Sequence, residues 1–256
     1  MNILMIGDVI GKPGRKAVAG LLPSLREELE LDLVIANGEN AAAGRGLTPS
    51  TAQELFDAGV DVLTSGNHIW DQKEILTIIG KESAILRPAN YPPLAPGRGV
   101  LTQKGVMVLN LQGRTFMPEI DDPFRAADAA LEGIDEKAII FVDMHAEATS
   151  EKQAMGRYLE GRVSAVVGTH THVPTADARI LPGGTAYLTD VGMVGPRESI
   201  IGCDIESVLR RFTTGMPTRL PVADHGGPVQ FNSVLVEVDP STGKAQRIER
   251  VDREYS

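Results

Sequence analysis

The residues Ile3-Leu4-Met5-Ile6-Gly7-Asp8 form a short apolar run that is followed at once by glycine and an acid. Such a run predicts a buried β-strand, with the polar residue placed just beyond the strand end. The same arrangement recurs in four later segments: Leu33–Ala36 precedes Asn37-Gly38-Glu39-Asn40, Val60–Leu63 precedes Gly66-Asn67-His68, Ile139–Val142 precedes His145, and Val163–Val167 precedes Gly168-Thr169-His170-Thr171-His172. Ligands of open α/β sheets bind in the crevice outside the carboxyl ends of the strands. The pattern therefore predicts that polar residues from five distant segments converge on one site.

Helical segments alternate with the predicted strands. Their expected ranges are Arg15–Leu29, Thr48–Ala58, Lys73–Ile79, Pro123–Leu131, Ser150–Leu159 and Asp204–Phe212. This alternation favours an α/β fold with a largely parallel sheet. Two hairpins, Val100–Leu111 and the pair of Val229–Val238 with Lys244–Val251, indicate a second sheet that is mainly antiparallel.

The composition limits the class of protein. A length of 256 residues fits one large α/β domain or two small ones. The net charge of −9 would repel a long polyanion, so we expect no long nucleic acid as a partner, whereas small phosphate esters held by metal ions remain compatible. The single cysteine, Cys203, excludes an intrachain disulfide and a thiolate metal cage.

The N-terminus has neither a basic lead-in nor a small-residue cleavage site. No apolar run approaches the ~20 residues that a helix needs to cross a bilayer. We therefore expect a cytoplasmic protein without a membrane partner.

The histidines after the strands have two explanations each. His170 and His172 would point to opposite sides of a regular strand, but from an irregular loop they can address two neighbouring metals or two faces of one. Taken alone, the pair is more often surface or capping histidines. In Gly66-Asn67-His68, the asparagine offers a hard, neutral oxygen ligand while the histidine remains free to move a proton. The alternative is an Asx-turn beside a polar histidine.

The acids are weighed in the same way. Asp8 has a simpler explanation as the cap of a helix that starts near Gly14. Glu39 has no such explanation, because glutamate is depleted in strands and turns of this type. A capping role could explain any one of these residues. It is far less probable as the explanation of Asp, Glu, Asn or His at five independent strand ends. The set therefore indicates a metal site, and its six obvious ligands are too many for one ion.

These residues also carry a family resemblance. Asp8, Gly66-Asn67-His68, His145 and Gly168–His172 resemble, in order and spacing, the motifs of calcineurin-like metallophosphoesterases. Longer motifs are similar to the YmdB-like phosphodiesterase branch: Gly38-Glu39-Asn40-Ala41, Gly66-Asn67-His68-Ile69-Trp70-Asp71, His145–Lys152 and Thr189-Asp190-Val191-Gly192-Met193. The resemblance runs from Asn2 to about Val251. It implies one domain over residues 1–256, a four-layer α/β/β/α sandwich of two mixed sheets.

The resemblance implies a metal-dependent phosphoric diester hydrolase with a dinuclear site. Small phosphodiesters are the implied substrates, with 2′,3′-cyclic mononucleotides associated with this branch, and a metal-bridging hydroxide attacks in line. The ligands carried over by position are Asp8, Glu39 and His172 for one metal and Glu39, Asn67, His145 and His170 for the other. Glu39 bridges the two. His68, if it is unligated, acts as general acid toward the departing ribose oxygen, or stabilises charge on the phosphoryl group.

Two departures from the wider superfamily concern the first metal and the bridge. Ile10 stands where the usual Asp-x-His motif has histidine, and Asn40 is the expected replacement. The usual bridging aspartate is Glu39 here, one methylene longer. Two divalent cations, two carboxylates and a hydroxide leave a charge of about +1, which suits a phosphodiester monoanion.

Nitrogen and oxygen ligands without sulfur favour iron, manganese or zinc over calcium. We expect two divalent or mixed-valence ions per chain, iron or manganese before zinc. Two other functions stay open: a metallophosphatase acting on phosphomonoesters, and a non-catalytic regulator that senses a nucleotide through the same cleft. A homo-oligomer is compatible with the family, although no apolar stripe demonstrates one. Arg45 fits a phosphate contact or an ordinary surface arginine, and His225 fits a cleft or a solvated loop.

Overall fold

The computed structural model describes residues 1–80 and 84–256, and the elements named here lie within them. The strands are β1 (Asn2–Ile6), β2 (Asp8–Val9), β3 (Leu33–Asn37), β4 (Val62–Thr64), β5 (Val100–Gln103), β6 (Val106–Gln112), β7 (Ile139–His145), β8 (Ala165–Thr169), β9 (Arg179–Ile180), β10 (Ala186–Leu188), β11 (Met193–Pro196), β12 (Val229–Phe231), β13 (Ser233–Val238), β14 (Ala245–Arg250) and β15 (Arg253–Tyr255). The helices are α1 (Gly11–Glu28), α2 (Pro49–Asp57), α3 (Pro123–Leu131), α4 (Thr149–Tyr158) and α5 (Ile205–Thr214). The chain is thus a mixed α/β protein.

The strands form two large mixed sheets and a smaller one. The five-stranded sheet has the order β14-β13-β1-β3-β4, the six-stranded sheet β5-β6-β7-β8-β10-β9, and the four-stranded sheet β15-β12-β11-β2. Strands β1, β3 and β4 are mutually parallel, and so are β6, β7, β8 and β10. The five strand ends singled out in the sequence therefore belong to parallel strands, three in one large sheet and two in the other.

The two hairpins extend the large sheets, so the expectation that both belong to a second, mainly antiparallel sheet is wrong; the sheet with mainly antiparallel pairing is the four-stranded one. In the first, β5 pairs antiparallel with β6, and β6 then continues parallel to β7. In the second, β14 pairs with β13, which pairs antiparallel with β1. A parallel strand at the edge of a sheet still presents unpaired N–H and C=O groups, and a hairpin strand satisfies them. Val229–Phe231 leaves this hairpin and joins the four-stranded sheet as β12.

Strand β1 shows how the core is divided. Its side chains alternate in direction, as the period of two in a strand requires. Ile3 and Met5 belong to an apolar cluster that also contains Phe141 of the other large sheet, whereas Leu4 belongs to a cluster that contains Leu22 of α1. A third cluster joins the remaining face of the six-stranded sheet to α4 and other segments. The inner strands of both large sheets are therefore buried on two faces, which explains why β1, β3, β7 and β8 are rich in consecutive apolar residues.

Most predicted helices are confirmed, with two differences. Helix α1 starts at Gly11, and its N-cap residue Ile10 makes no side-chain capping bond, so the explanation of Asp8 as a cap is wrong. The segment that begins at Lys73 forms a 3₁₀-helix, Lys73–Thr77, instead of an α-helix. Helix α2 begins as predicted, because the Thr48 side chain accepts a bond from the Thr51 amide. Within the described residues, the apolar length that a membrane-spanning helix requires is not found in any helix.

Candidate metal centre

The predicted ligands lie together at the carboxyl ends of β1, β3, β4, β7 and β8. They form two adjacent groups, Asp8 with Asn40 and His172, and Glu39 with Asn67, His145 and His170. The amide of His170 links the groups by donating to Asp8 Oδ2 over 3.1 Å. The predicted convergence is therefore present, because parallel strands end at the same edge of a sheet and both large sheets bring that edge to one place.

The first group surrounds the buried carboxylate of Asp8. Asp8 Oδ1 lies 3.4 Å from Asn40 Nδ2 and 3.6 Å from His172 Nε2. His172 Nδ1 lies 2.8 Å from the Ile201 carbonyl and donates to it, which directs Nε2 toward Asp8. Burial raises the pKa of Asp8, but the hydrogen bond and charge of His172 outweigh it and hold the pKa below its ordinary value.

The second group converges on the Nε2 atom of His145. This atom lies 2.9 Å from Glu39 Oε1, 3.2 Å from Asn67 Oδ1 and 3.1 Å from His170 Nδ1. Ligand atoms of Glu39, His145 and His170 all lie within 4.8 Å of one another. Such spacing allows one ion to contact several of them, since metal–ligand distances are about 2.0–2.2 Å.

Glu39 is the residue whose environment fits a cation most directly. Its side chain is fully buried, and its Oε2 accepts a bond from the His68 amide at 3.0 Å. Its Oε1 has no hydrogen-bond donor with suitable geometry, although His145 Nε2 lies 2.9 Å away. A buried, charged oxygen without a donor is costly, and a bound metal ion removes that cost. The donor set therefore fits a metal ion held by nitrogen and oxygen.

The charges of the second group depend on one another. Burial lowers the pKa of His145, but the charge and hydrogen bond of Glu39, together with the charges of Asp8 and Asp143, outweigh burial and raise the pKa to about 9. Burial, assisted by the charge of His145, lowers the pKa of His170 to about 3. Glu39 therefore stabilises one positive charge in this group, on His145. The same negative charge would attract a bound metal cation.

Backbone strain turns the two loop histidines toward Asp8. The φ angles of His170 and His172 are 103° and 64°, in the left-handed region that non-glycine residues seldom adopt. As a result, both residues contact the Asp8 carboxylate, His170 through its amide and His172 through its ring. A regular strand would have separated them. Strain of this kind persists only where the surroundings hold it in place.

The ion pair between Lys152 and Asp190 holds this loop, and the sequence analysis assigned it no role. Lys152 Nζ lies 2.6 Å from Asp190 Oδ2, and both side chains are 1% exposed. The same oxygen accepts bonds from the amide and the hydroxyl of Thr171, which lies between the two histidines. Both residues belong to the motifs that carry the family resemblance. Nothing local marks a lysine within a helix as buried, so only the fold reveals the pair.

A second overlooked residue, Asp143, supports His145 from behind. Thr169 Oγ1 donates to Asp143 Oδ1 at 2.7 Å and lies 2.9 Å from His145 Nδ1. Because the threonine hydrogen is used for Asp143, Nδ1 of His145 donates to Thr169, which directs Nε2 toward Glu39 and the rest of the second group. Burial raises the pKa of Asp143 to about 6. An acid within an apolar strand, two residues before His145 and so on the same face, was the available signal.

His68 stands beside the two groups. Its Nδ1 lies 2.9 Å from Asp71 Oδ2, a partner that the sequence analysis did not assign. The ring lines a cavity of about 810 Å³ together with Glu39, His170 and His172. The ring is therefore oriented by a carboxylate and faces the cavity that a substrate would enter.

Gly66 allows the close approach of His145. A Cβ atom at position 66 would lie 1.9 Å from the His145 ring, so any other residue would displace that ring. Ile10 is buried and lines the large cavity, as does Arg45. His225 lines a separate cavity of about 190 Å³, so the interpretation that it lines the substrate cleft is wrong.

Comparison with known proteins agrees with this arrangement. The model of the YmdB-like protein family matches residues 4–251. The chain belongs to the YmdB-like family. A 2′,3′-cyclic-nucleotide 2′-phosphodiesterase from Bacillus subtilis (strain 168) is 50% identical to this YmdB-like chain, over 98% of it and 96% of the relative.

Two solved structures share the fold of this YmdB-like protein. A hypothetical protein from Thermus thermophilus is 46% identical with a TM-score of 0.93, and the alignment covers 100% of both chains. A phosphatase from Mycoplasma pneumoniae is 36% identical with a TM-score of 0.92, and the alignment covers 99% of this chain and 93% of that one. The likeness extends over the whole length of the chain.

Proposed function

We propose that this protein is a dinuclear metal-dependent phosphodiesterase that hydrolyses small phosphodiesters, 2′,3′-cyclic mononucleotides first among them. The observation that carries the proposal is the fully buried Glu39 carboxylate, whose Oε1 has no hydrogen bond of suitable geometry and lies 2.9 Å from His145 Nε2, where side chains from the ends of β4, β7 and β8 meet. The activity named for the Bacillus subtilis relative supports the substrate class, because the two chains are 50% identical over almost their whole lengths.

The two groups of side chains support a division between two ions. Asp8, Asn40 and His172 with Glu39 would hold one, and Glu39 with Asn67, His145 and His170 would hold the other. The side-chain amide of Asn40 lies 3.2 Å from His172 Nε2 and 3.4 Å from Asp8 Oδ1. It is therefore placed to supply the ligand that Ile10 cannot. Rotation of that amide by half a turn about its last side-chain bond would place Oδ1 where Nδ2 lies. The nitrogen and oxygen donor set favours iron or manganese, with zinc next.

The protein side chains have three tasks in hydrolysis. When bound, the metal ions supply Lewis acidity toward the phosphate oxygens and a nucleophilic water of lowered pKa. Thr169 and Asp143 fix the ring of His145, and Asp190 fixes the loop of His170 and His172. His68, with Nδ1 toward Asp71, presents Nε2 to the cavity and protonates the departing ribose oxygen there.

We further propose that the whole chain is one four-layer domain. Three apolar clusters support this arrangement: one between α1 and the five-stranded sheet, one between the two large sheets, and one between the six-stranded sheet and α4. Side chains from both sheets supply ligands, so the site depends on the two sheets remaining packed together. The order helix, sheet, sheet, helix is the α/β/β/α sandwich.

The test combines metal analysis with a panel of phosphodiesters and phosphomonoesters, run on wild type, Glu39→Gln and the exposed control Glu132→Gln. Wild type and Glu132→Gln should carry about two metal ions per chain and prefer cyclic diesters. Glu39→Gln should remain folded and lose turnover, because the amide has no charge to share between two cations. Turnover retained in Glu39→Gln would remove Glu39 from the bridge. A preference for monoesters would make the protein a phosphatase.

A further inference from the structure

The lining of the large cavity includes three arginines. Arg45, Arg211 and Arg219 line the same space of about 810 Å³ as Glu39 and the histidines of the metal centre. This volume lies in the upper part of the range of about 300–1,000 Å³ that is usual for ligand pockets. The cavity therefore extends beyond the proposed metal ligands to residues that include these three arginines.

These three arginines differ from most others in their ion pairing. Most other arginines are paired: Arg15, Arg26, Arg114, Arg157, Arg162, Arg197, Arg247, Arg250 and Arg253 each contact a carboxylate. Among residues 1–80 and 84–256, no carboxylate forms an ion pair with Arg45, Arg211 or Arg219. The chain has a net charge of −9. Three guanidinium groups that line one cavity and form no ion pair among the described residues therefore contrast with its overall charge. Unpaired cations gathered at a cavity attract an anion.

The turn that carries Arg45 is built rather than loose. Ala43, Gly44 and Gly46 have φ angles of 54°, 93° and 79°, so the backbone is left-handed on both sides of Arg45. The Ala42 amide donates to the Gly46 carbonyl at 2.9 Å, and the side chain of Gln72 donates to the Arg45 carbonyl at 3.0 Å. A non-glycine residue held at positive φ is typical of functional loops. The turn fixes the direction from which Arg45 enters the cavity.

The other two arginines come from a different part of the chain. Arg211 lies in the last turn of α5, and Arg219 follows this helix in the segment that leads to Val222, another cavity residue. Guanidinium groups bind phosphate with paired, charge-assisted hydrogen bonds, which makes arginine the preferred partner of that group. The scissile phosphodiester belongs to the metal centre. The three arginines are therefore available to a different phosphate.

We propose that Arg45, Arg211 and Arg219 bind a second phosphate of the substrate, one that is not hydrolysed. The inference rests on the proposed function and narrows its substrate class to 2′,3′-cyclic phosphates that carry a further phosphate. That group is the 5′-phosphate of a mononucleotide or the internucleotide phosphate of a short oligonucleotide with a cyclic-phosphate end. Both offer the same chemistry to the arginines.

Three substrates distinguish these sources: adenosine 2′,3′-cyclic phosphate, the same compound with a 5′-phosphate, and an adenosine dinucleotide ending in a 2′,3′-cyclic phosphate. The measurement is the ratio of kcat/KM for each two-phosphate substrate to that for the simple one. For metal-loaded wild type, the ratio should be about tenfold or more for at least one of them, as one or more charge-assisted hydrogen bonds require. The ratio should fall toward one in Arg45→Gln and in Arg211→Gln.

Arg125→Gln is the matched control, because Arg125 is exposed on α3, outside this cavity, and its loss changes the net charge equally. Its ratio should equal that of wild type. A high ratio for only one of the two-phosphate substrates identifies which phosphate the arginines bind. A ratio near one in wild type, or a high ratio that survives in both arginine variants, overturns the inference. In either case, turnover of the simple substrate still upholds the phosphodiesterase function. Absence of turnover for all three substrates overturns that function itself.

Discussion

Lys152 Nζ lies 2.6 Å from Asp190 Oδ2, and each of the two side chains is only 1% exposed. The pair connects helix α4 to the loop of His170 and His172, because Asp190 also accepts two hydrogen bonds from Thr171. A buried charge that loses its partner is strongly unfavourable. The strained loop and the stability of the fold are therefore coupled through one carboxylate.

Replacing Lys152 with methionine should destabilise the protein. The Asp190 carboxylate would stay buried without its cation, and the free energy of unfolding should fall by about 3–5 kcal/mol in denaturant titrations. Lys137→Met is the control, because Lys137 is exposed and should be neutral. Metal affinity of Lys152→Met should also fall, since the loop loses its support. Equal stability of the two variants would contradict the role of the pair.

Replacing His68 with alanine should separate metal binding from proton transfer. The ring faces the cavity and is held by Asp71, so the metals should stay bound while kcat falls by ~10²–10⁴. Metal analysis and steady-state kinetics on the same preparation test this. Loss of a metal from the variant would instead make His68 a ligand.

Asp71→Asn should show the same pattern with a smaller effect. Asp71 touches the proposed acid and no other member of the metal centre, so kcat should fall by less than in His68→Ala while metal content is kept. Asp224→Asn, an exposed change of equal charge, should leave kcat as in wild type. A fall in metal content would show that Asp71 acts on the ligands rather than on His68.

Gly66→Ala should disable the centre by displacing a ligand. The added methyl group would lie 1.9 Å from the His145 ring, so metal content should drop and turnover should fall by about 10² or more. Gly227→Ala is the control, because a Cβ at position 227 meets nothing within 4 Å. A variant at position 66 with normal metal content would mean that His145 is not a ligand.

Removal of metal should lower the melting temperature. The apo centre holds two buried carboxylates among three imidazoles, and a cation bound only by the folded state stabilises it by about 2.7 kcal/mol at one hundred times its Kd. Treatment with a chelator followed by thermal melts measures the shift, and added iron or manganese should restore it. Glu39→Gln should show a much smaller shift, and an equal shift would place the metal elsewhere.

The convergence of the proposed ligands was predictable from the chain, since Asp8, Glu39 and His145 each come at or after the end of an apolar run. Parallel strands place such positions at one edge, so the pattern alone implied that they meet. The supporting residues were not predictable in this way. Asp143 and Lys152 look like ordinary strand and helix residues until the packing shows that they are buried.

By itself, the sequence determined the α/β class, the five strand ends and the identity of the proposed ligands, because these depend on local periodicity and on side-chain chemistry. Only the tertiary structure decided that the hairpins join the two large sheets, that His170 and His172 turn to the same carboxylate, and that Lys152 meets Asp190. These outcomes depend on contacts between residues far apart in the chain. Such contacts are set by the joint packing of all the elements, and no local pattern encodes that packing.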